Sequence, residues 1–542
     1  MGKIYITYCL ACFLTFCLFS CNNESNQYSL GVVTTATPEA SKVGEQILLK
    51  GGNAIDAAIA ISFALGVTEP AMSGLGGGTQ VLLSINNQPP ISINGTTYSP
   101  ANTPAHIKDT LTYHRRSTIP STVKVLDYLW KTYGSGKISW EQLIEPSIAL
   151  AKNGFKVGEF RAKVYQYYET KLVESPFNTS YFLKNNSQIP EEGDIINQPQ
   201  LALTLKRLAK YGADDFYNGE IAKKIADDMN NNGGWITLED LNNFPEPKEL
   251  QPLSINYNNM VVYSQPPPCG GWTTLLALNL MEEASKDNVL TDLEIINSLY
   301  LAHTDRQENP ITDLINYDSV AQVKLSKSYA KNLNYEFSQL PSNTDVNNSG
   351  ETTHFSVVDA SGNAIAVTSS INAYFGSLAA SKELGFLYNT YMDDFIFENL
   401  NHPFAIKPHA MAYSSMSPTI VQENGENILV IGSPGSSRII SSVSQITALW
   451  LLNKNIEPLI KRPRIHVSKN NIYFENKTDS LKIYSFIKTN GYTIKIPSEK
   501  LIIQQNMNAY YGGIHAIAKE NNTWIGVADP RRDGLKIDVK KQ

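Results

Sequence analysis

The chain has 542 residues, 42% of them hydrophobic and 18% charged, with a formal net charge of -6. These values belong to a globular protein and exclude a disordered or fibrous one. Lys and Arg are scattered without a basic stripe or tail, which excludes phosphate-tracking nucleic-acid binders and favours small, mildly polar substrates.

At the amino terminus Lys3 precedes an apolar run from Ile4 to Phe19. The run ends in Leu18-Phe19-Ser20-Cys21 and is followed by the polar stretch Asn22 to Gln27. The run is short for a membrane span, and a small residue before cysteine resembles a bacterial lipobox. Residues 1–21 therefore read as a lipoprotein signal, with Cys21 acylated and the protein held in the cell envelope by lipid rather than by a span. Cys9, Cys12 and Cys17 fall within that signal, leaving Cys269 as the one cysteine of the body and no internal disulfide. In Pro266-Pro267-Pro268-Cys269-Gly270-Gly271 it reads as a small buried side chain.

The pattern then predicts a strand over Gly31–Thr35 and a helix from Pro38 to Lys50 closed by Gly51-Gly52. A second helix, Ile55 to Leu65, is apolar nearly all round and so belongs inside a core. Helical periodicity dominates residues 120 to 300, in Ser121–Tyr133, Trp140–Asn153, Gln198–Tyr211 and Gly219–Asn230, and reads as a helical cover. The polar stretch Ser338 to Gly350 reads as an exposed linker. The period then changes to two: His354–Val358 and Ala364–Thr368 flank Asp359-Ala360-Ser361-Gly362-Asn363, a hairpin signature. Further strands are expected at Asn427–Ile431, Asn471–Phe474, His515–Ala518 and Trp524–Val527, and a helix at Ser441–Leu452. Such segregated runs favour stacked sheets covered by helices.

The best-marked hydrolase, zinc-protease and nucleotide motifs are absent from the chain. Gly74-Leu75-Gly76-Gly77-Gly78 lacks the flanking strand and helix of a dinucleotide fingerprint and reads as a tight backbone loop. The eight histidines show no metal-ligand spacing, so neither a metal nor a cofactor is assigned. What stands out is Gly350-Glu351-Thr352-Thr353-His354-Phe355-Ser356, where a polar linker runs directly into a buried strand. A cut before Thr352 would give that threonine a free α-amino group with a pKa of about 7.7–8.0, able to take its own hydroxyl proton.

The wording around this junction resembles the γ-glutamyltransferase family. The resemblance rests on Thr352-Thr353-His354-Phe355-Ser356-Val357-Val358-Asp359, Met392-Asp393-Asp394-Phe395, Ser414-Ser415-Met416-Ser417-Pro418-Thr419, Gly432-Ser433-Pro434-Gly435 and Ala528-Asp529-Pro530-Arg531-Arg532-Asp533-Gly534. Gly51 to Ala58, Gly76-Gly77-Gly78 and Ile236 to Leu241 extend it over nearly everything after the signal. It implies an α+β fold, the four-layer αββα sandwich of N-terminal-nucleophile hydrolases. It also implies a precursor that cuts itself between Glu351 and Thr352 into a large part, 22–351, and a small part, 352–542, forming one domain. Thr352 would then attack a γ-glutamyl amide such as glutathione, and water or an acceptor amine would release the acyl group. By the same resemblance Ser370 is the neighbouring hydroxyl, and Asn372 and Asp394 hold the donor's α-ammonium. Ser414 and Ser415 hold its α-carboxylate, and the backbone N–H groups of Gly435 and Ser436 meet the oxyanion, with Ser436 standing in for a glycine.

Two positions depart from the family. Its carboxylate-pairing arginine is replaced within Thr96-Thr97-Tyr98-Ser99-Pro100, and Tyr391 stands where Glu or Gln usually lies beside the α-ammonium. Losing a charge-assisted pair of about 1.5–3 kcal/mol weakens a free carboxylate's binding roughly ten- to a hundredfold. Either Arg115 or Arg116 moves in, or the donor is a different acyl amide, as in cephalosporin-acylase and capsule-depolymerase relatives. A third reading is an inactive lipoprotein that binds without chemistry.

Overall fold

A computed structural model describes residues 29–336 and 350–541, apart from 105, 108, 178–181, 185–186, 286–287, 398, 476–482 and 484–491. The signal with Cys21, and the linker up to 349, lie outside the described residues.

Two antiparallel sheets form the centre. The first has seven strands in the order Leu535–Lys540, Ser29–Thr35, Gly350–Asp359, Ala364–Ala373, Gly78–Ser84, Ile91–Asn94 and Lys248–Leu250. The second has six: Thr523–Ala528, His515–Glu520, Glu426–Ile431, Thr419–Glu423, Met260–Ser264 and Leu253–Tyr257. A seam of Val32, Leu82, Val358, Ala364, Ala366, Ile420, Val430 and Ile517 joins them face to face. The outer face of the first sheet packs on helices that include Pro38–Leu49 and Ala54–Thr68. The outer face of the second packs on Gly271–Ala284, Asp292–Glu308 and Arg438–Asn453. The result is the expected αββα sandwich, in which each layer hides one apolar face from water.

The Ala54–Thr68 helix is buried along nearly its whole length, as its unbroken apolar sequence requires. Asn53 starts it with a capping box, accepting from the Asp56 N–H while Asp56 accepts from the N–H of Asn53. The 120–300 stretch, expected to be helical cover, also supplies the short pair Phe155–Lys156 and Ile195–Ile196 and three strands of the central sheets, Lys248–Leu250, Leu253–Tyr257 and Met260–Ser264. The last two pair across an Asn258-Asn259 turn, with Asn258 at φ 52, and complete the second sheet.

Side chains alternate along Gly350–Asp359. Phe355 and Val357 enter the helix-covered core, whereas Val358 joins the seam and the Ser356 hydroxyl donates to the His515 carbonyl of the facing sheet. Thr352 shares that second parity. Opposite it the hairpin is out of step: Thr353 pairs with Ser369 and Glu351 with Asn372, so Ser370 and Ile371 together face Thr352. This two-against-one bulge turns the Ser370 hydroxyl over the Glu351–Thr352 peptide.

The glycine run beside it is a close-contact loop, as expected. A Cβ on Gly77 would stand 2.3 Å from the Ser370 carbonyl oxygen, and one on Gly76 2.1 Å from that of Leu387. Gly77→Ala is therefore expected to cost about 1–3 kcal/mol in urea unfolding, because main chain rather than a flexible side chain must give way.

Glu69, at the end of the Ala54–Thr68 helix, is 1% exposed, with the Thr353 hydroxyl beside its carboxyl. Burial pushes its pKa up to about 7 against the pull of Arg532 and Arg161. Between the ordinary value of 4.5 and about 7 the fold holds a proton that the unfolded chain has released. This contribution to stability is complete below that window and is lost as pH rises through it. Unfolding midpoints at pH 5 and pH 8 should differ less in Glu69→Gln than in the natural chain, with the variant gaining at pH 8.

Candidate active site

The centre of the site is the intact Glu351–Thr352 peptide at the start of a central strand. The Ser370 hydroxyl donates to the Glu351 carbonyl oxygen at 2.6 Å, and the Thr352 hydroxyl donates to Ser370 Oγ at 3.3 Å. The Asn372 N–H also reaches Ser370 Oγ, at 2.8 Å. The threonine oxygen, the neighbouring hydroxyl and the carbonyl before the threonine thus form one chain of three. Thr352 and Ser370 are 4% and 2% exposed, so little water competes with these bonds.

Glu351 turns its side chain into a buried cationic cleft. Its carboxylate lies 2.6 Å from Arg438 Nη2 and 3.8 Å from Arg532 Nη2, with all three residues at most 4% exposed. Burial raises its pKa while Arg438 and then Arg532 oppose the rise. Aromatic rings hold the two guanidinium groups, Tyr510 4.3 Å from Arg438 and Phe160 4.1 Å from Arg532. Arg438 opens the Arg438–Asn453 helix, and Arg532 follows Arg531, which a buried network with Asp529 and Glu475 fixes in place.

The remaining site residues surround this peptide. Asn372, at φ 76, donates to the Thr390 carbonyl at 3.2 Å and lies against Asp394. Asp394 is exposed, yet the surrounding protein and the charge of Asp393 hold its carboxyl above the usual range, with Asn372 and Arg306 opposing. Tyr391 is 3% exposed, and burial pushes its phenol, which lies beside Ser370, well up. Gly435 at φ 121 and Ser436 at φ 55 form a turn against the peptide: a Cβ on Gly350 would meet Ser436 Cβ at 3.0 Å. A serine in that left-handed conformation is strained where a glycine would not be.

Thr96 is buried and donates its hydroxyl to the Ala412 carbonyl at 3.0 Å, tying down the strap that carries Ser414 and Ser415. Neither alternative arginine has moved in beside it. Arg115 lies over Trp235, and Arg116 forks onto Asp393. The cation at the strap is Arg306, which sequence reasoning missed. It donates to the Ser414 carbonyl at 2.8 Å and to Ser415 Oγ at 3.3 Å, and stacks 4.5 Å over Tyr413. Arg438 was also missed, although it stands two residues after Ser436. Cys269 is buried and free, its thiol pushed up to about 12 by burial, which makes it inert. Among the described residues no group of three or more His, Cys, Asp or Glu is placed to hold a metal ion.

The family model described as Gamma-glutamyltranspeptidase matches residues 40–539. A glutathione hydrolase proenzyme of Escherichia coli (strain K12) is 32% identical over 470 residues, covering 80% of each chain. One from Bacillus subtilis (strain 168) is 30% identical, covering 94% of this chain and 91% of its own. A cephalosporin acylase from Bacillus halodurans shares the fold at a TM-score of 0.83 over 96% of this chain and 98% of its own, with 23% identity. With most of its length matched by the family model, the chain belongs to the gamma-glutamyltranspeptidase family.

Proposed function

We propose that the chain is a self-cleaving γ-glutamyl amide hydrolase or transferase whose nucleophile is Thr352. The observation that carries this is the chain of hydroxyls from Thr352 through Ser370 to the Glu351 carbonyl. Thr352 Oγ attacks the Glu351 carbonyl carbon, Ser370 steadies the developing oxyanion, and the departing amide nitrogen takes the hydroxyl proton. The product is an ester of Glu351 on Thr352, which water hydrolyses to leave a Glu351 carboxylate and a free Thr352 amine. The relatives' designation as proenzymes supports such a step.

Once free, the amine acts as base for its own hydroxyl, and the same oxygen attacks the donor amide. The leaving amine takes the proton, and water or an acceptor amine resolves the acyl-enzyme. Asn372 and Asp394 suit the donor's ammonium, whose arrival would draw Asp394 into its charged form. The N–H groups of Gly435 and Ser436 suit the oxyanion. Glutathione-like amides are the donors to try first. The apolar leader and Cys21 support an envelope location with a lipid anchor as part of this proposal, which mass spectrometry of the membrane-bound form would test.

A second reading, hydrolysis of a different acyl amide, draws on one observation: the Thr96 hydroxyl is committed to Ala412, so the family's carboxylate partner is missing from that segment.

Thr352→Ala should run as one intact chain on a denaturing gel, where the natural protein gives two pieces. Normal cutting in that variant would refute the assignment. Ser370→Ala should slow cutting by roughly ten- to a thousandfold, the range for removing one oxyanion donor or its neighbour. Ser436→Gly should raise stability by about 1 kcal/mol in urea unfolding by relieving its left-handed backbone.

A further inference from the structure

Ser370 Oγ carries one proton and two lone pairs, and all three are in use. The proton goes to the Glu351 carbonyl oxygen at 2.6 Å, while the lone pairs accept from the Asn372 N–H at 2.8 Å and from the Thr352 hydroxyl at 3.3 Å. The last of these contacts is the longest, and in the self-cleavage proposed above it cannot persist. Thr352 Oγ must leave it to form a bond with the Glu351 carbonyl carbon, and the Thr352 proton goes to the departing amide nitrogen. Ser370 is then held through one lone pair only, at the moment when its proton has to stay on the developing oxyanion. A serine, which has no γ-methyl group, turns about χ1 more freely than a threonine.

Tyr391 stands at this place. The segment before it is tied to the bulge that carries Ser370: the Thr390 N–H donates to the Ile371 carbonyl at 3.1 Å, and Asn372 Nδ2 donates to the Thr390 carbonyl at 3.2 Å. Asn389 fastens the segment from its other side, accepting from the Tyr391 N–H at 3.1 Å and donating to the Gly76 and Thr118 carbonyls at 2.8 and 2.9 Å. The ring is 3% exposed and belongs, with Met392 and Phe395, to the apolar core outside the second sheet. The polar neighbours of its phenol are Ser370, Asp394 and Cys269, and among the described residues the hydroxyl is committed to no group beyond these. Burial keeps the phenol protonated, so its proton is available to an acceptor.

We propose that Tyr391 is a positioning residue for self-cleavage: its phenol donates to Ser370 Oγ when the Thr352 hydroxyl leaves to attack, and so keeps the Ser370 proton on the Glu351 carbonyl oxygen. Tyr391 and Ser370 both retain their protons throughout, and the only bonds made and broken are those of Thr352 and the Glu351–Thr352 peptide. The position where the family carries Glu or Gln beside the donor's ammonium thus serves the cutting step in this chain. The inference rests on the threonine-nucleophile reading and adds the group that steadies its neighbouring hydroxyl.

The test follows newly made, pulse-labelled full chain on a denaturing gel as it converts to two pieces. Tyr391→Phe, which keeps the ring and removes only the hydroxyl, should slow cutting by roughly two- to tenfold, the worth of one neutral hydrogen bond. On top of Ser370→Ala the same change should add no slowing, because the residue it acts through is gone. On top of Ser370→Thr, whose γ-methyl group restricts the side chain, it should slow cutting less than in the natural chain. Cutting of Tyr391→Phe at the natural rate would overturn the inference, as would a slowing that persists in full beside Ser370→Ala or Ser370→Thr, which packing around the ring alone would produce. Either result with Thr352→Ala still uncut overturns this inference alone; a Thr352→Ala chain that cuts normally overturns it together with the threonine reading.

Discussion

One buried carboxylate between two arginines sets the geometry on which the rest of the site depends. Glu351 comes from a central strand of the first sheet, Arg438 from a helix covering the second, and Arg532 from the loop before the last strand. Each charge alone would be costly at this depth, and removing one partner of such a group typically costs about 3–5 kcal/mol. Together they pin the residue before Thr352. The carbonyl of that residue is then held where the Ser370 hydroxyl reaches it, and the bulge in the neighbouring strand keeps Ser370 there.

The support behind this arrangement is equally buried. Asp529 accepts from Arg464, from Arg531 and from the backbone N–H of Ile514 at 2.7 Å, and Arg531 also pairs with Glu475. Arg464, Asp529 and Arg531 lie at or near zero exposure, and their network braces the segment that holds Arg532 over Phe160. The opposite rim differs in kind. Asp394 is exposed, Ser414 and Ser415 are partly so, and Arg306 braces the strap from behind. A dry wall of buried ion pairs thus contrasts with a wetter rim that carries Asp394 and Arg306.

Much of the sandwich is legible in the sequence because periodicity reports burial. The Ala54–Thr68 helix, the 354–368 hairpin and the helices at 122–133, 140–153, 199–211 and 220–231 all show their buried faces as spacing. The strands at 248–264 are lost in a helix-rich stretch because they are short and rely on partners 160 residues away in the chain, such as Thr419–Glu423. For the site, Thr352, Ser370 and Glu351 are legible through family wording. The bulge that joins them is not, since a two-residue mismatch depends on the register of two strands. Arg306 sits in the last turn of the Asp292–Glu308 helix, and its significance comes from a strap more than a hundred residues later. Arg532 lies inside a quoted motif, yet its partner becomes visible only when the ends of three layers meet.

The strand order has a consequence for the molecule if it is cut before Thr352 as proposed. Ser29–Thr35, from the part before Glu351, lies between Leu535–Lys540 and Gly350–Asp359, which fall almost wholly in the part after it, and Ala364–Ala373 in turn pairs with Gly78–Ser84. In the second sheet Thr419–Glu423 pairs with Met260–Ser264 across the same divide. The two pieces would therefore be woven like the fingers of clasped hands, each ladder shared between them. Diluting the cut protein would not part them, since separation requires breaking both sheets, and halves made separately would each present raw strand edges with no neighbour.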